Sequence, residues 1–458
     1  MSVAVRAAVA LTAALLSACA HYPVNPQLPK AEPAYGYRFG TTTPTGANDE
    51  NFIIVTMSGG GTRAAALAYG VLQKLDATQI PSGSMLDAID VVSSVSGGSF
   101  TSSYYALHGR DGFDEFKTDF LEYNIQGALF KAAANPLNWP KLLSPRYSRV
   151  DLAADLYDKL LFKGATYAQM PKEGRPYTIL NATEMDIGSQ FTFVQEQFDT
   201  ICSDLNQVKV ARAAAASSAF PGLLVPMTFR NYAGKCGYTP GTWYTTATHD
   251  FFTNPRRYKY RADLAALMQP DRPYLHLMDG GIADNIGARN ALHAIASSDT
   301  LQMDDTKPVI GYSVQRLVNL RRVKRIAVIM VNAKTENELK LDKVEKTPGL
   351  VAVISNISNT PLANYSFDTT SLMKAELTQM RNDAKAAREA GMTDFPFTDT
   401  YTIEITFGAI PDPKTRAEFN AIGTNFSLSK EEVQKLIDMS GTLLDQNPEF
   451  QRLLKDLK

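Results

Sequence analysis

The chain alternates short apolar runs with longer segments in which apolar residues recur at helical spacing. Short apolar runs bounded by turn residues are typical of buried strands, and a period near 3.6 is typical of amphipathic helices. The predicted strands are Phe52–Val55, Ile89–Val92, Tyr177–Thr183, Phe191–Val194, Leu275–Met278, Ile326–Val331 and Tyr401–Phe407. The predicted helices are Ala64–Leu75, Ser99–Leu107, Val150–Phe162, Val210–Ala216, Ile282–Ala296, Ser371–Ala390 and Ser429–Leu444. This alternation predicts an α/β fold of three layers, with a mainly parallel central sheet flanked by helices.

Two of the predicted strand-to-helix turns are rich in small residues. Ser58-Gly59-Gly60-Gly61-Thr62-Arg63 follows the first strand, and Ser94-Val95-Ser96-Gly97-Gly98 follows the second. We expect the two turns to lie side by side at one edge of the sheet. That arrangement would place bare backbone N–H groups beside a serine hydroxyl, and acyl transfer needs both.

The second turn has the pattern of a nucleophile elbow centred on Ser96. In G-x-S-x-G, small flanking residues let strand and helix approach closely around a strained serine, which lifts its Oγ clear. Ser94 replaces the first glycine of the pattern, but serine is still small. A pattern centred on Ser99 would put Thr101 in the second small position, so we prefer Ser96. The alternative is a serine-glycine turn that only caps a helix.

The first turn also matches G-x-G-x-x-A, the pattern of dinucleotide-binding loops, from Gly59 to Ala64. A single match of this kind is weak evidence. The pattern needs an acidic residue about twenty positions later, at the end of a second strand. Asp76 and Asp87 instead lie around a Pro-Ser-Gly-Ser turn. We therefore expect no nicotinamide or flavin cofactor, and the chain shows no metal-ligand spacing.

A third candidate, Asp279-Gly280-Gly281, follows the predicted strand Leu275–Met278 directly. Active residues of open α/β sheets collect at strand ends, so this carboxylate is well placed to reach a neighbouring loop. The alternative is a turn aspartate that caps the next helix. A histidine base is the competing arrangement, with His108, His249, His276 and His293 as candidates. His276 would point to the other face of its strand, and His293 would lie inside a helix rather than on a loop.

Composition and charge exclude some classes of function. The 458 residues are 45% hydrophobic and 20% charged, an ordinary globular composition. The formal net charge of -1 gives no electrostatic reason to expect nucleic acid as a partner. Residues 1–18 carry one cation, Arg6, before the apolar run Ala7–Leu16. That run is too short to span a bilayer and is typical of a signal peptide.

The end of the signal peptide, Leu16-Ser17-Ala18-Cys19, resembles the lipobox of bacterial lipoproteins. The resemblance implies lipidation of Cys19 and, with Ala20 next, an outer-membrane-anchored protein of the bacterial cell envelope. Cleavage after Ala20 at an A-x-A site is the alternative. The proline-punctuated stretch that follows predicts an extended tether over residues 19–50, with the folded domain starting near Asn51.

Two further cysteines, Cys202 and Cys236, remain after Cys19. We expect a disulfide between them because the predicted compartment is oxidising. The alternative is two unpaired buried thiols.

Together the motifs resemble those of patatin-like phospholipases and of the related catalytic domain of group IV cytosolic phospholipase A2. The resemblance rests on Ser58–Ala64, which is closer to the cytosolic-type S-G-G-G-x-R than to plant D-G-G-G-x-[RK]-G, on the elbow at Ser96 and on Asp279-Gly280-Gly281. Asn181-Ala182-Thr183 and Ala215–Pro221 are supporting matches.

The resemblance also implies the domain organisation. The core motifs cover residues 51–335 of a patatin-like catalytic domain at 51–458, and residues 336–458 form a C-terminal extension of strand and helices.

The resemblance implies a lipid acyl hydrolase of phospholipase A or lysophospholipase type that uses no cofactor. Ser96 would attack an ester carbonyl and Asp279 would take its proton, so that an acyl-enzyme forms before water releases the fatty acid. Backbone N–H groups of Gly59-Gly60-Gly61 would hold the oxyanion. Arg63 would either pair with the substrate phosphate or support the loop.

A catalytically silent envelope lipoprotein, which uses the fold to bind lipid or a protein partner, is the alternative function. Ser94 in place of glycine is the feature that favours it. For the enzyme, the expected partners are a phospholipid or another acyl ester and the membrane that holds the N-terminal lipid.

Overall fold

The computed structural model describes residues 21–42, 50–296, 323–336, 345, 347, 349–391 and 399–458, so the predicted signal peptide and Cys19 lie outside the described residues. The strands are β1 Asn51–Met57, β2 Gln79–Ile80, β3 Gly83–Ser84, β4 Val91–Val95, β5 Tyr177–Glu184, β6 Ser189–Thr192, β7 Met227–Arg230, β8 Tyr274–Asp279, β9 Arg325–Asn332 and β10 Asp399–Thr406. The helices are α1 Gly61–Ala77, α2 Gly97–His108, α3 Phe113–Phe116, α4 Ile125–Ala134, α5 Trp139–Leu142, α6 Arg149–Tyr157, α7 Gln195–Thr200, α8 Val210–Ser217, α9 Thr242–Thr246, α10 Pro255–Leu267, α11 Gly281–Asp284, α12 Arg289–Ala296, α13 Leu350–Glu389, α14 Pro413–Asn420, α15 Lys430–Gln446 and α16 Pro448–Asp456.

Eight of the described strands form one sheet in the order β10-β9-β1-β4-β5-β8-β7, with β6 also paired to β5. The five strands from β10 to β5 are parallel to one another. The strands β6, β7 and β8 are added in antiparallel pairings. Both β1 and β9 are almost entirely buried, as expected for parallel strands covered by helices. The predicted α/β fold with a mainly parallel, helix-flanked sheet is confirmed.

The strand register brings the ends of four strands to one place. Met57 at the end of β1 pairs with Ser94 of β4, and Val95 pairs with Asn181 of β5. On the other side of β5, Ala182 pairs with Asp279, the last residue of β8. The two predicted turns and the Asp279 turn therefore lie along one edge of the sheet.

Two predictions on the antiparallel side were wrong in detail. The segment Thr228–Arg272, in which no strand or helix was predicted, contains most of β7 and the helices α9 and α10. The buried residues of α10 are Arg257, Leu264 and Leu267. Because one of the three is an arginine, the helix lacks the continuous apolar stripe that would have marked it in the sequence. The single predicted helix Ile282–Ala296 is split into α11 and α12.

The N-terminal segment does not form the free tether that its prolines predicted. Residues 21–42, which we call the strap, pack against the domain and bury Leu28 and Tyr37. The side chains of Arg38 and Asp199 are both buried and form an ion pair at 2.5 Å. The prediction that folding starts near Asn51 was therefore wrong. Prolines favour an extended backbone, but they do not determine whether that backbone is solvated or docked.

The disulfide Cys202–Cys236 lies under the strap, with a Cα–Cα distance of 5.4 Å. Leu28 N–H donates to the Cys202 carbonyl at 2.8 Å, and Ala31 N–H donates to the Cys236 carbonyl at 2.9 Å. The two cysteines that the sequence pairs thus form a covalent link that also provides backbone acceptors for the strap.

The aromatic segment after α2 divides into a buried part and an exposed part. Phe116 and Phe120 are buried, and Phe120 stacks on Phe100 of α2 with ring centroids 4.6 Å apart. The later part, around α4 and α5, leaves large apolar side chains in solvent: Phe130, Leu137, Trp139 and Leu143. The first part is therefore core, and the second part forms an apolar surface.

Candidate active site

Ser96 joins β4 to α2 in a strained backbone conformation. Its φ of 48° and ψ of -118° lie outside the regions that residues with a Cβ favour. Conformations of this kind cost about 1–3 kcal/mol and persist only where the surroundings hold them. Ser96 N–H donates to the hydroxyl of Ser217 at 2.9 Å. The turn thus has the local strain that the nucleophile-elbow pattern predicted.

The glycine turn after β1 lies directly against this elbow. A Cβ at Gly59 would be 2.5 Å from Asn285 Oδ1 and 3.2 Å from the Cβ of Ser96. A Cβ at Gly97 would overlap the carbonyl oxygen of Gly61. Neither position has room for a side chain, so the close approach of the two turns depends on glycine.

The N–H groups of the glycine turn are not equally available. Gly59 N–H donates to the Asn285 carbonyl at 3.1 Å. Gly60 and Gly61, with φ of 142° and 62°, open α1, and their N–H groups have no acceptor among the described residues. Of the three predicted oxyanion donors, Gly59 is therefore engaged in this structure, whereas Gly60 and Gly61 are available.

Asp279 is buried at the end of β8, next to Ser96. Its Oδ1 accepts a hydrogen bond from Gly281 N–H at 2.8 Å, and the Ser96 side chain is near enough to help stabilise the charged carboxylate. Burial raises the pKa of Asp279 from 3.8 to about 6, while these two interactions partly oppose the shift. A carboxylate with such a pKa is ionised at neutral pH and basic enough to accept a proton from a nucleophile.

Two of the competing histidines, His276 and His108, contact residues other than Ser96. His276 is exposed on the opposite face of β8, as predicted, and its Nδ1 is 3.1 Å from Thr228 Oγ1. His108 ends α2 and packs on the ring of Tyr104 with centroids 4.3 Å apart. His293 lies within α12, as the sequence indicated.

Arg63 supports the glycine turn through backbone carbonyls. Its Nε donates to Ala333 O at 3.0 Å and its Nη1 to Ile422 O at 2.6 Å. The side chain is buried, and this burial lowers the pKa of Arg63 to about 10. Of the two roles considered for Arg63, these contacts favour support of the loop. They tie the start of α1 to the segment after β9 and to a distant part of the chain.

The start of α1 is covered in a way that argues against a dinucleotide. Such cofactors place a pyrophosphate on the first N–H groups of the helix. Here Thr62 N–H donates to the Asn425 carbonyl at 2.9 Å, and that oxygen also fills the space beside Gly61. Within the described ranges, no group of three or more His, Cys, Asp or Glu side chains is arranged to hold a metal ion.

Three residues of the site were missed by the sequence reasoning. Asn285 packs between Gly59 and Gly281, Asn425 covers the start of α1, and Ser217 holds the backbone of Ser96. Ser217 falls in the motif Ala215–Pro221, which was used only as a supporting match to the family. No local pattern marks Asn425, because its carbonyl, rather than its side chain, makes the contact with α1.

The sequence model of the Patatin family, described as patatin-like phospholipase, matches residues 55–292. No curated protein sequence matches the chain.

Several solved structures are similar in fold. Human GIVD cytosolic phospholipase A2 aligns with a TM-score of 0.45 and 11% identity, covering 89% of this chain and 62% of that chain. Its complex with methyl gamma-linolenyl fluorophosphonate aligns with a TM-score of 0.40 and 11% identity, covering 89% and 59%. VipD from Legionella pneumophila aligns with a TM-score of 0.28 and 13% identity, covering 86% and 67%. The chain thus spans about three fifths of the length of the human structures.

Proposed function

Because the chain belongs to the patatin-like phospholipase family, we propose that it is a lipid acyl hydrolase of phospholipase A or lysophospholipase type. One observation carries the proposal above all. A serine in a strained turn lies beside a buried carboxylate whose pKa is raised to about 6. Two available backbone N–H groups lie in the adjacent glycine turn. This arrangement supports the proposed roles of Ser96 as nucleophile, Asp279 as base and the glycine turn as oxyanion donor.

In the proposed acylation step, Ser96 Oγ attacks the ester carbonyl carbon while Asp279 takes the hydroxyl proton. The carbonyl oxygen becomes an oxyanion and accepts hydrogen bonds from Gly60 and Gly61, which typically contribute about 3 kcal/mol each to the transition state. The tetrahedral intermediate then expels the alcohol portion, for example a lysophospholipid. This leaving group takes the proton from Asp279, and the acyl group stays on Ser96.

Deacylation reverses the roles. Asp279 accepts a proton from water, and the resulting hydroxide attacks the acyl carbonyl. The second intermediate releases the fatty acid, and Ser96 Oγ recovers the proton from Asp279. The carboxylate therefore acts in both steps, which requires a pKa between that of a free carboxyl and the working pH.

We also propose that Cys19 carries the lipid that holds the enzyme at the outer membrane of the bacterial envelope. The sequence Leu16-Ser17-Ala18-Cys19 supports this, and so does the docking of the strap immediately after it. Tyr22 N–H donates to the Arg146 carbonyl at 2.6 Å, only three residues from Cys19. A lipid on Cys19 would therefore hold this part of the domain close to the bilayer.

The apolar surface precedes Arg146 directly in the chain. Leu137, Trp139 and Leu143 are 82%, 53% and 72% exposed. At the other end of this surface, Gln126 N–H of α4 donates to the Phe426 carbonyl, next to the residue that covers the start of α1. The strap, the apolar surface and the segment that covers the start of α1 are thus connected, and we propose that this surface rests in the bilayer from which the substrate is taken.

Mass spectrometry of the products from mixed phospholipids tests the proposed function. We expect release of fatty acid and lysophospholipid by the wild-type enzyme, with a loss of about 10⁴-fold or more in Ser96→Ala and Asp279→Asn. Labelling of Ser96 by a fluorophosphonate separates this enzyme from the catalytically silent lipoprotein. A folded protein that gives neither products nor an adduct on Ser96 would favour the silent alternative.

The membrane proposals need separate tests. In Cys19→Ala, palmitate labelling should be lost and membrane fractionation should show that the protein is released from the membrane. If the variant keeps both the label and its membrane association, the proposed lipid anchor is refuted. For the surface, Ser96→Ala without its lipid should sediment with phosphatidylethanolamine and phosphatidylglycerol vesicles. Replacing Leu137, Trp139 and Leu143 by serine should abolish this binding, whereas Phe252→Ser, at a 91% exposed site, serves as control. An equal loss of vesicle binding in the serine variant and in Phe252→Ser would refute the proposal that this surface contacts the bilayer.

A further inference from the structure

We propose that Ser217, supported by a buried network of serine hydroxyls, is a positioning residue that holds Ser96 and the turn of Asp279 in one rigid unit. This inference rests on the proposed function, because it concerns the alignment of the nucleophile and the base. Ser217 is fully buried at the end of α8 and lies behind the elbow rather than in a position to touch substrate.

Three hydrogen bonds connect Ser217 to the two reacting turns and to β5. Its hydroxyl accepts from Ser96 N–H at 2.9 Å and donates to the Asn181 carbonyl at 2.6 Å. Its own carbonyl accepts from Gly280 N–H at 3.0 Å, one residue after Asp279. The strained turn of Ser96 and the backbone of the base are therefore fixed to the same residue.

The adjacent backbone adds a second link. Asp279 N–H donates to the Ala219 carbonyl at 3.0 Å, two residues after Ser217. The Asp279 carbonyl accepts from the Thr183 hydroxyl at 2.8 Å. The end of α8 thus holds the main chain of the base directly, while β5 holds it from the other side.

The number of protons fixes the direction of the network around Ser217. A hydroxyl has one hydrogen to donate and two lone pairs to accept with. Ser217 gives its hydrogen to Asn181 and takes the Ser96 N–H on one lone pair. The hydroxyl of Ser99, 2.9 Å away, must therefore donate to the other lone pair.

The network continues behind Ser99 to Ser94. The Ser94 hydroxyl is 3.2 Å from that of Ser99 and accepts from Ser102 at 2.6 Å. All of these serines are buried, so each hydroxyl needs a partner within the protein. Ser94, which departs from the glycine of the elbow pattern, is explained as a member of this support. Its presence is not a sign that the site has lost activity.

Loss of the Ser217 hydroxyl would leave the Ser96 N–H without its acceptor in a turn that is already strained. A relaxed turn moves Oγ away from the base and from the oxyanion donors, and a displacement of about 1 Å can lower the rate about 10²-fold. Substrate affinity should change little, because Ser217 is buried away from any position that substrate can occupy. The expected signature is therefore a loss in kcat without a matching change in KM.

Steady-state kinetics of Ser217→Ala on a soluble ester tests this inference. We expect kcat to fall about 30- to 100-fold with KM within about threefold of wild type, and the rate of fluorophosphonate labelling to fall in parallel. The matched control is Ser218→Ala, a neighbouring buried serine whose hydroxyl donates to carbonyls of its own helix, Ala214 O and Ala215 O. Ser218→Ala should keep wild-type kcat, and Ser217→Thr, which retains the hydroxyl, should recover much of the rate.

A kcat for Ser217→Ala equal to that of Ser218→Ala would overturn the inference. If Ser217→Ala does not fold, Ser99→Ala provides the answer, since it removes the donor that orients the Ser217 hydroxyl. Its kcat should fall about three- to tenfold, and an unchanged kcat would also overturn the inference. Failure of the proposed function has a different signature, because Ser96→Ala or Asp279→Asn would then retain the wild-type rate.

Discussion

The backbone of Gly97 lies so close to the carbonyl oxygen of Gly61 that a side chain at position 97 would overlap it. The turn of Ser96 and the glycine turn after β1 are thus in direct backbone contact, each at the start of its own helix. Because packed backbone has little freedom to adjust, a change in either turn should be felt in the other.

Gly60→Ala should lower kcat about 10²- to 10³-fold on a soluble ester substrate. The φ of 142° at Gly60 is poorly accessible to alanine, so the turn must rearrange and withdraw its N–H groups from the oxyanion. Gly164→Ala is the matched control, since Gly164 also has a positive φ, of 88°, but lies in open space after α6. Both variants should lose stability by about 1–3 kcal/mol. A normal kcat in Gly60→Ala would contradict the role of this turn.

The pH dependence of kcat/KM should show one acid limb with a midpoint near the pKa of Asp279, about 6. The base must be ionised to accept the Ser96 proton, so activity is low below this pH and reaches a plateau above it. The measurement uses a soluble ester at constant ionic strength from about pH 4 to about pH 9. A plateau that extends down to about pH 4 would show that a group other than Asp279 is the base.

Asp279→Asn should make the protein more stable at about pH 8 while abolishing activity. Because burial raises the pKa of Asp279 from 3.8 to about 6, the folded state prefers the protonated carboxyl. The stability associated with that proton is complete below about pH 4 and is lost as pH rises through about 6, an effect of about 3 kcal/mol. The amide carries no charge and can still accept from Gly281. Chemical denaturation of wild type and variant at about pH 4 and about pH 8 measures their free energies of unfolding. A variant less stable than wild type at about pH 8 would contradict this prediction.

Removal of the disulfide in Cys202→Ala/Cys236→Ala should lower the free energy of unfolding by about 2–4 kcal/mol, given the sequence separation of 34 residues. It should also loosen the strap, whose Leu28 and Ala31 N–H groups use the carbonyls of these two cysteines. Limited trypsin digestion at the exposed Lys30 reports this directly. The wild-type protein should resist cleavage without reductant and become sensitive with it. Equal resistance of the double variant would show that the strap does not depend on the disulfide.

Much of the fold and part of the site follow from local sequence. The strands β1 and β9 were predictable because they are continuous apolar runs, and the turns after β1 and β4 because only small residues permit such tight strand-to-helix connections. The helix α10 was not predictable in the same way, since an arginine, Arg257, is among its three buried residues and interrupts the apolar stripe. The strap shows the same limit, because its composition is compatible with a solvated or a docked chain.

The sequence by itself therefore determined the two turns, the serine at the centre of one of them and the carboxylate at the end of β8. These features depend on residue types a few positions apart, and local backbone geometry imposes them. Only the tertiary structure decided that Gly59 N–H is already used, that Arg63 supports the loop, and that Ser217 connects Ser96 to the turn after Asp279. Each of these depends on atoms brought together by sheet register and helix packing, and many involve backbone groups that every residue carries. No pattern of side chains can therefore predict them.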